Sequence, residues 1–563
     1  MIQQFAIDGI PALFTPTDGP THAGLAFRVG TADEPLSRRG ITHLIEHLAL
    51  YSLGVADYHY NGATGDEITY FHLQGSAPDV VAFLNGVCES LRDLPMHRLP
   101  VEKEILRTEQ RGRGATVDDP LAIHRHGARD FGLRGYTELG LPAITPDDLR
   151  RWTGWFFTRG NAALWIAGSA VPPGLRLNLP GGPRRPAPPV TSALSAFPAY
   201  FPGPSGVLAW NAGVRRHAAS SVFAGVLQRA MFRALRQESG ISYTVQAGYA
   251  TRGNGTAFVT ATADALPAKS GAVLGGFVDV LASLRFAGAD PADVAAVVAQ
   301  ECDQLAEASR QGALLPGQVE DLLTGQPVLD LAALTAATRA VTPGQVSAIA
   351  AEAYADGLLM APRGTPATWA GFTRVPGQST YAVTGAAHPA LGGLNLRLVV
   401  GQDGVSIVEG EDCFLTVPFD GCAALLAYPD GGRVLIGHDG ITVPVEPTMM
   451  EDSAPAVPYI DSRIHPDLRV DLPPRDPGEI PQPPSPDEDD DEEECCDDDC
   501  CDSDCSGGDC CSSDDCTGEC CASCCDDACC PSDCQDGDCC SSGDCPGKCC
   551  SGVKGAIRRF RSR

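Results

Sequence analysis

The sequence predicts an α+β protein built from two tandem modules, followed by a small all-β module and a disordered tail. Three observations carry this. Thr145-Pro146 and Thr342-Pro343 each open a helix that stops before a short apolar strand, at Ala162–Ala167 and Leu358–Ala361. Between residues 396 and 445 the pattern changes to short β-like runs separated by Gly/Asp turns. Past residue 486 the chain turns almost wholly to Asp, Glu, Cys, Ser and Gly, too polar to bury a core.

At 563 residues the chain is too long for a single core. Its formal charge of −30 argues against nucleic acid as a partner. Much of that charge lies between Asp487 and Cys550, where 23 acidic residues meet one lysine, Lys548. The same stretch holds 20 of the 24 cysteines. The other four, Cys88, Cys302, Cys413 and Cys422, are expected as buried or semi-buried thiols, consistent with a reducing compartment. The N-terminus lacks a basic start and an apolar stretch, and no run approaches the length of a membrane span. The expected location is cytoplasmic, with no membrane contact.

Taken in order, Gln4–Thr15 and His22–Gly30 have strand character, and a polar loop then leads to an amphipathic helix around residues 41–48. Asn61-Gly62-Ala63-Thr64 is a turn signal and Glu67–Leu73 a strand. Helices are expected over Asp79–Leu94 and Leu99–Arg111. At Thr145 the helix start is strong, with Thr as N-cap, Pro at the first position and acidic residues in the first turn. Pro180–Val190 has linker composition. Six strands are expected at Leu396–Val400, Val405–Val408, Phe414–Val417, Ala424–Ala427, Val434–Ile436 and Ile441–Val445, forming a barrel or sandwich. The domains follow: modules at 1–179 and 193–372 joined by a linker at 180–192, a β module at 378–447, a proline-rich linker at 448–486 and the tail at 487–563.

The chemistry centres on His43-Leu44-Ile45-Glu46-His47. Helical spacing places the two imidazoles one turn apart, so both can reach one ion, while Glu46 can take a proton from an activated water. Ile41, Leu44, Ile45 and Leu48 form the opposite, core-directed face. A catalytic zinc needs a third protein ligand. Glu102, Glu104 and Glu109 share one expected helix, and charge pattern does not choose among them.

Val29-Gly-Thr-Ala-Asp-Glu34 and Gly40-Ile-Thr-His-Leu-Ile-Glu-His47 resemble the opening signature of the insulinase/pitrilysin family of inverted zinc peptidases, which includes the mitochondrial processing peptidases. Asn61, Thr64, Glu67 and Thr69 match its Asn-containing strand segment, and Glu102-Lys-Glu-Ile-Leu-Arg-Thr-Glu109 its later helix. The resemblance implies two insulinase-like modules, with Glu109 as third zinc ligand and Glu102 supporting the site. It further implies that Arg236 and Tyr243, in Arg236-Gln-Glu-Ser-Gly-Ile-Ser-Tyr243, bind substrate backbone and steady the developing oxyanion. Asn61 and its strand would pair with an extended peptide. Two departures stand out: a shortened interval from His47 to Asn61, and Gly62 where the family has Ala.

The activity implied is zinc-dependent endoproteolysis of peptides or unfolded segments. Family members use four such modules, so a homodimer or a heterodimer with a related chain is expected. Two other readings are a non-catalytic assembly subunit of this fold and a metal-buffering protein acting through the tail, whose Cys-Cys pairs suit Zn²⁺ or Cu(I). The basic end, Val553–Arg563, would fold back on that acidic stretch.

Overall fold

The computed structural model describes residues 2–54, 59–114 and 116–483. The expected tail at 487–563 lies outside the described residues. The first sheet contains β1 (Gln3–Ile7), β2 (Ile10–Pro16), β3 (Thr21–Phe27), β4 (His59–Thr64), β5 (Thr69–Gly75) and β6 (Ala162–Gly168), in the order β1-β2-β6-β3-β5-β4. The run expected as one strand over Gln4–Thr15 is instead the hairpin β1-β2. Asp8 and Gly9 both have positive φ, 51° and 81°, as the tight turn between twisted strands requires. A second correction concerns Asn61-Gly62, which lies within β4 rather than in a turn.

One face of this sheet is covered by α1 (Ile41–Tyr51), α2 (Ala77–Arg92), α3 (Leu99–Gly112) and, beyond α4 (Asp118–His126), α5 (Pro146–Phe156). Alternation along the strands sends Ala12, Phe14, Leu25 and Phe27 to these helices, and Leu13, Ala26, Ala163 and Trp165 to the other face.

The second sheet repeats this plan. β7 (Ala199–Pro202), β8 (Val207–Arg215), β9 (Val245–Thr251), β10 (Thr256–Asp264), β11 (Leu358–Ala361) and β12 (Thr373–Arg374) run in the order β12-β7-β11-β8-β10-β9. Place for place, β7, β11, β8, β10 and β9 stand where β2, β6, β3, β5 and β4 stand, with the parallel pair β7-β11 matching β2-β6. Only the outer strand differs: β1 is antiparallel to its neighbour, β12 parallel. The helices are α6 (Ala218–Met231), α7 (Ser270–Phe286), α8 (Pro291–Arg310), α9 (Leu315–Thr324), α10 (Leu331–Arg339) and α11 (Pro343–Ala355). Thr145 and Thr342 form matching capping boxes with Asp148 and Gln345. No single described helix is long and apolar enough to cross a membrane.

The two modules exchange helices. α9 lays Leu315, Val319 and Leu323 on the open face of the first sheet. In return α4 sets Leu121 against Ala199, Phe201, Ala209, Leu358 and Met360 of the second. From α4, Arg125 donates to Asn211 Oδ1 (3.0 Å), Asn211 O (3.1 Å), Asp356 Oδ2 (2.8 Å) and Asp356 O (2.8 Å).

The β module is a sandwich. β13 (Gly385–Pro389), β14 (Leu396–Gly401), β15 (Gly404–Glu409) and β16 (Cys413–Pro418) form one sheet. The other contains β17 (Cys422–Ala427), β18 (Arg433–Gly437), β19 (Thr442–Val445) and β20 (Arg469–Asp471). The two share a core of Leu398, Ile407, Val417, Leu425, Leu435 and Val443. The expected linker at 448–486 is corrected in part. It supplies β20, parallel to β17, and α12 (Ala456–Arg463), whose Ile460 is fully buried. Its prolines open short helical turns: Pro466 and Pro477 begin 3₁₀ turns, and Pro455 precedes α12. Cys88, Cys302 and Cys422 are buried thiols as expected. Half-buried Cys413 is instead disulfide-bonded.

Candidate metal centre

α1 begins where Gly40 takes a left-handed conformation (φ 102°), without a side-chain N-cap of its own. The carboxylate of Glu34 does that work, accepting from Gly40 N and Thr42 N (2.9 Å each) and from Arg39 Nη1 (3.1 Å). A buried anion at a helix N-terminus also suits the helix dipole. Ile41, Leu44, Ile45 and Leu48 are buried in the first core as the periodicity requires. Burying four such side chains contributes on the order of 6–12 kcal/mol, enough to hold a helix whose other face is polar.

That polar face carries His43, Glu46 and His47. The two rings stand edge to face with centroids 4.8 Å apart. From α3, Glu109 Oε2 approaches His43 Nε2 at 3.9 Å and His47 Nε2 at 3.7 Å, and one donor atom from each residue lies within 4.8 Å of the others. A tetrahedral zinc with bonds of about 2.0–2.1 Å has donor–donor edges of roughly 3.4 Å, so this donor set fits after a small contraction. Two half-buried imidazoles and one carboxylate also suit zinc chemically.

The three glutamates of α3 have distinct surroundings. Glu109 faces both histidines. Glu102 is buried, accepts from Arg98 Nε (3.3 Å) and Nη2 (3.0 Å), and sets Oε2 3.5 Å from His47 Nδ1. Glu104 faces solvent and pairs with Arg107.

Glu46 is buried against β4, and its Oε2 accepts from Thr64 Oγ1 (2.6 Å). A Cβ at Gly62 would lie 2.5 Å from Glu46 Oε1, so glycine here lets the carboxylate rest against the strand. Burial pushes the Glu46 pKa up, opposed by His43, Thr64 and His47 and reinforced by Glu109. Burial alone would lower that of His43, but its hydrogen bond to Glu138, with the charges of Glu138, Glu46 and Glu109, turns the balance upward.

Sequence reasoning missed Glu138. Its Oε1 lies 2.8 Å from His43 Nδ1. A carboxylate accepts, so the proton sits on Nδ1 and the Nε2 lone pair is left toward Glu109. No local pattern marks this residue, which stands in a loop far along the chain from α1. Glu34 was visible within the signature, but its capping role was not.

Asn61 is exposed on β4, the outer strand of its sheet, with Oδ1 accepting from Gly62 N (2.9 Å). A cavity of about 380 Å³ opens beside His43 between the modules, bounded by Thr64, Glu138 and Glu320 and by Thr251-Arg252-Gly253 at the end of β9. Arg236 and Tyr243 do not line it. Arg236 stacks 4.5 Å over the ring of Tyr243, which is 73% exposed. Tyr243 precedes the other end of β9, and a strand of that length spans roughly 20 Å. Within one chain, therefore, the pair and the His/His/Glu cluster are not brought together.

No protein-family model matches the sequence, and no curated protein matches it. Solved structures do match the fold. The inactive domain of an M16 peptidase from Pseudomonas fluorescens aligns with TM-score 0.55 and 14% identity over 64% of this chain and 98% of that one. A protease from Helicobacter pylori gives 0.54 and 14% over 64% and 100%. The ferredoxin protease FusC, solved with Arabidopsis ferredoxin, gives 0.50 and 14% over 79% of this chain and 56% of that one. The chain thus has the insulinase-like fold of M16 peptidase domains, a group whose solved members include proteases and an inactive domain.

Proposed function

We propose that this protein is a zinc-dependent endopeptidase acting on peptides or unfolded segments. The observation that carries this is the convergence of His43, His47 and Glu109 beside a buried Glu46. Zinc held by His43 Nε2, His47 Nε2 and the Glu109 carboxylate would supply Lewis acidity, polarising the scissile carbonyl and acidifying a water. Glu46 takes the proton of that water as its oxygen bonds to the carbonyl carbon, and returns it to the amine as the C–N bond breaks. Thr64 fixes one Glu46 oxygen, leaving the other to move the proton. Glu138 and Glu102 orient the two imidazoles. An extended substrate adds as a strand along the free edge of β4 at Asn61.

We further propose that Arg236 and Tyr243 serve a neighbouring chain, either a second copy or a related subunit. Their exposure and their distance from the cavity support this. Mixing a Glu46→Gln chain with a Tyr243→Phe chain should then restore activity that neither has alone. A fully active monomer without rescue would instead mean that one chain builds the whole site.

The decisive test is mass spectrometry of a peptide mixture incubated with the protein, with and without chelator. Chelator-sensitive cleavage is expected. A chain that binds zinc yet cleaves nothing, alone or with partners, would favour the non-catalytic reading, as in the inactive neighbour.

A further inference from the structure

The geometry points to the β module as the element that sets the metal centre, acting through Glu138 as a positioning residue for His43. This rests on the zinc reading above. Glu138 lies in the segment after α4, where the chain runs from Gly127 to Ala143 through short 3₁₀ turns (Asp130–Gly135 and Leu141–Ala143) with no helix or strand of its own to hold it. Such a segment keeps its shape only through what it packs on.

Its support comes from the sandwich. Ala128 N donates to His438 O (3.0 Å), and a Cβ at Gly127 would lie 2.1 Å from that same carbonyl, so the two backbones are in direct contact. Ala128 and Leu133 share a buried cluster with Ala423, Ala424 and Ile436 of β17 and β18. Leu36, just before α1, belongs to the same cluster. Beside it, Ser37 Oγ donates to Asp467 O (2.7 Å). The β module therefore grips both the approach to α1 and the segment bearing Glu138. Between these two, Glu138 is only 12% exposed, 2.8 Å from His43 Nδ1 and 3.8 Å from Arg39 Nη1. Arg39 is held in turn by Glu34, the carboxylate that caps α1.

A carboxylate behind a metal-binding imidazole fixes its tautomer and aim, and its loss typically weakens metal binding about 10–100-fold. The sandwich, remote in sequence from the ligands, would thereby govern the affinity of the site.

The test is zinc affinity of the full chain by competition with a chromophoric chelator. Wild type should bind one zinc per chain tightly; failure here would overturn the zinc reading itself. Glu138→Gln should bind about 10–100-fold more weakly, Glu138→Asp should recover part of the loss, and the metal-free proteins should melt together. Ile436→Ala should weaken zinc by a smaller factor, and the double variant Glu138→Gln/Ile436→Ala should be no weaker than Glu138→Gln alone. Wild-type affinity in Glu138→Gln would overturn the role of Glu138. Multiplying effects in the double variant would overturn the link from the sandwich through it.

Discussion

The two modules share one strand order and differ most tellingly at one helix. Between β3 and β4 the first module places α1, with His43, Glu46 and His47 on its polar face. Between β8 and β9 the second places α6, whose AASSVFAGVLQRAM contains neither histidine nor carboxylate. The helices behind them differ in kind too. α3 aims Glu109 at two imidazoles, whereas α8 offers half-buried Glu301 to Ser221, which donates to it at 2.9 Å. One scaffold thus holds a His/His/Glu cluster in one copy and a hydroxyl–carboxylate pair in the other. The apolar pattern specifies the scaffold, and a few polar positions specify the chemistry.

The largest effect expected from breaking this comparison is at the base. Glu46→Gln should retain zinc, measured by elemental analysis, and lose about 10²–10⁴-fold in peptide turnover. Full turnover would refute the proton-transfer role.

Next come the helices exchanged between modules. Arg125 is buried, and its removal would take a donor from Asn211 Oδ1 and from the Asn211 and Asp356 carbonyls, while Asp356 Oδ2 keeps its bond from Gly213 N (2.6 Å). Hydrogen bonds to a charged group are worth about 1.5–3 kcal/mol each, so Arg125→Met should shift urea unfolding while leaving zinc stoichiometry unchanged. An unshifted midpoint would show that α4 does not join the modules.

His126, on the same helix, is buried beside Phe131, Phe258 and the positive charges of Arg125 and Arg252. Burial is the main cause that lowers its pKa to about 4. Because the folded form resists protonation, its stabilising contribution is complete above pH 6.5 and is lost as pH falls towards 4. The loss amounts to about 3 kcal/mol. Unfolding midpoints measured across this range should fall for the wild type and flatten for His126→Gln. Identical profiles would place the acid sensitivity elsewhere.

Within α3, Glu109→Ala should release zinc that Glu104→Ala keeps, as read by chelator competition. The opposite result would move the third ligand. The smallest effect belongs to the second module. Ser221→Ala should leave zinc and turnover unchanged and alter stability by about 1 kcal/mol, the usual worth of one such hydrogen bond.

Much of this was legible in the sequence. The period of Ile41, Leu44, Ile45 and Leu48 gave the buried face of α1, and the paired Thr-Pro caps gave the repeat. The β-like runs from Leu396 to Val445 all became strands, because alternation and Gly/Asp turns are local signals. Asp8-Gly9 was also legible and was overlooked. Asn61-Gly62 misled for a physical reason: an Asn-Gly pair favours a turn, yet here glycine is needed inside β4 to admit Glu46.

By itself, then, the sequence determined α1, α2, α3 and the two Thr-Pro helices α5 and α11, the strands of the sandwich from Leu396 to Val445, the duplicated plan and the His/Glu/His face, since each depends on residues within a few turns of one another. Only the tertiary structure decided which of Glu102, Glu104 and Glu109 meets both imidazoles, that Glu138 stands behind His43, and that Arg236 and Tyr243 lie away from both. It also decided that α4 and α9 trade sheets and that the sandwich extends to β20. These depend on where loops return after long excursions, and that is set by the packing of whole modules, which no short pattern encodes.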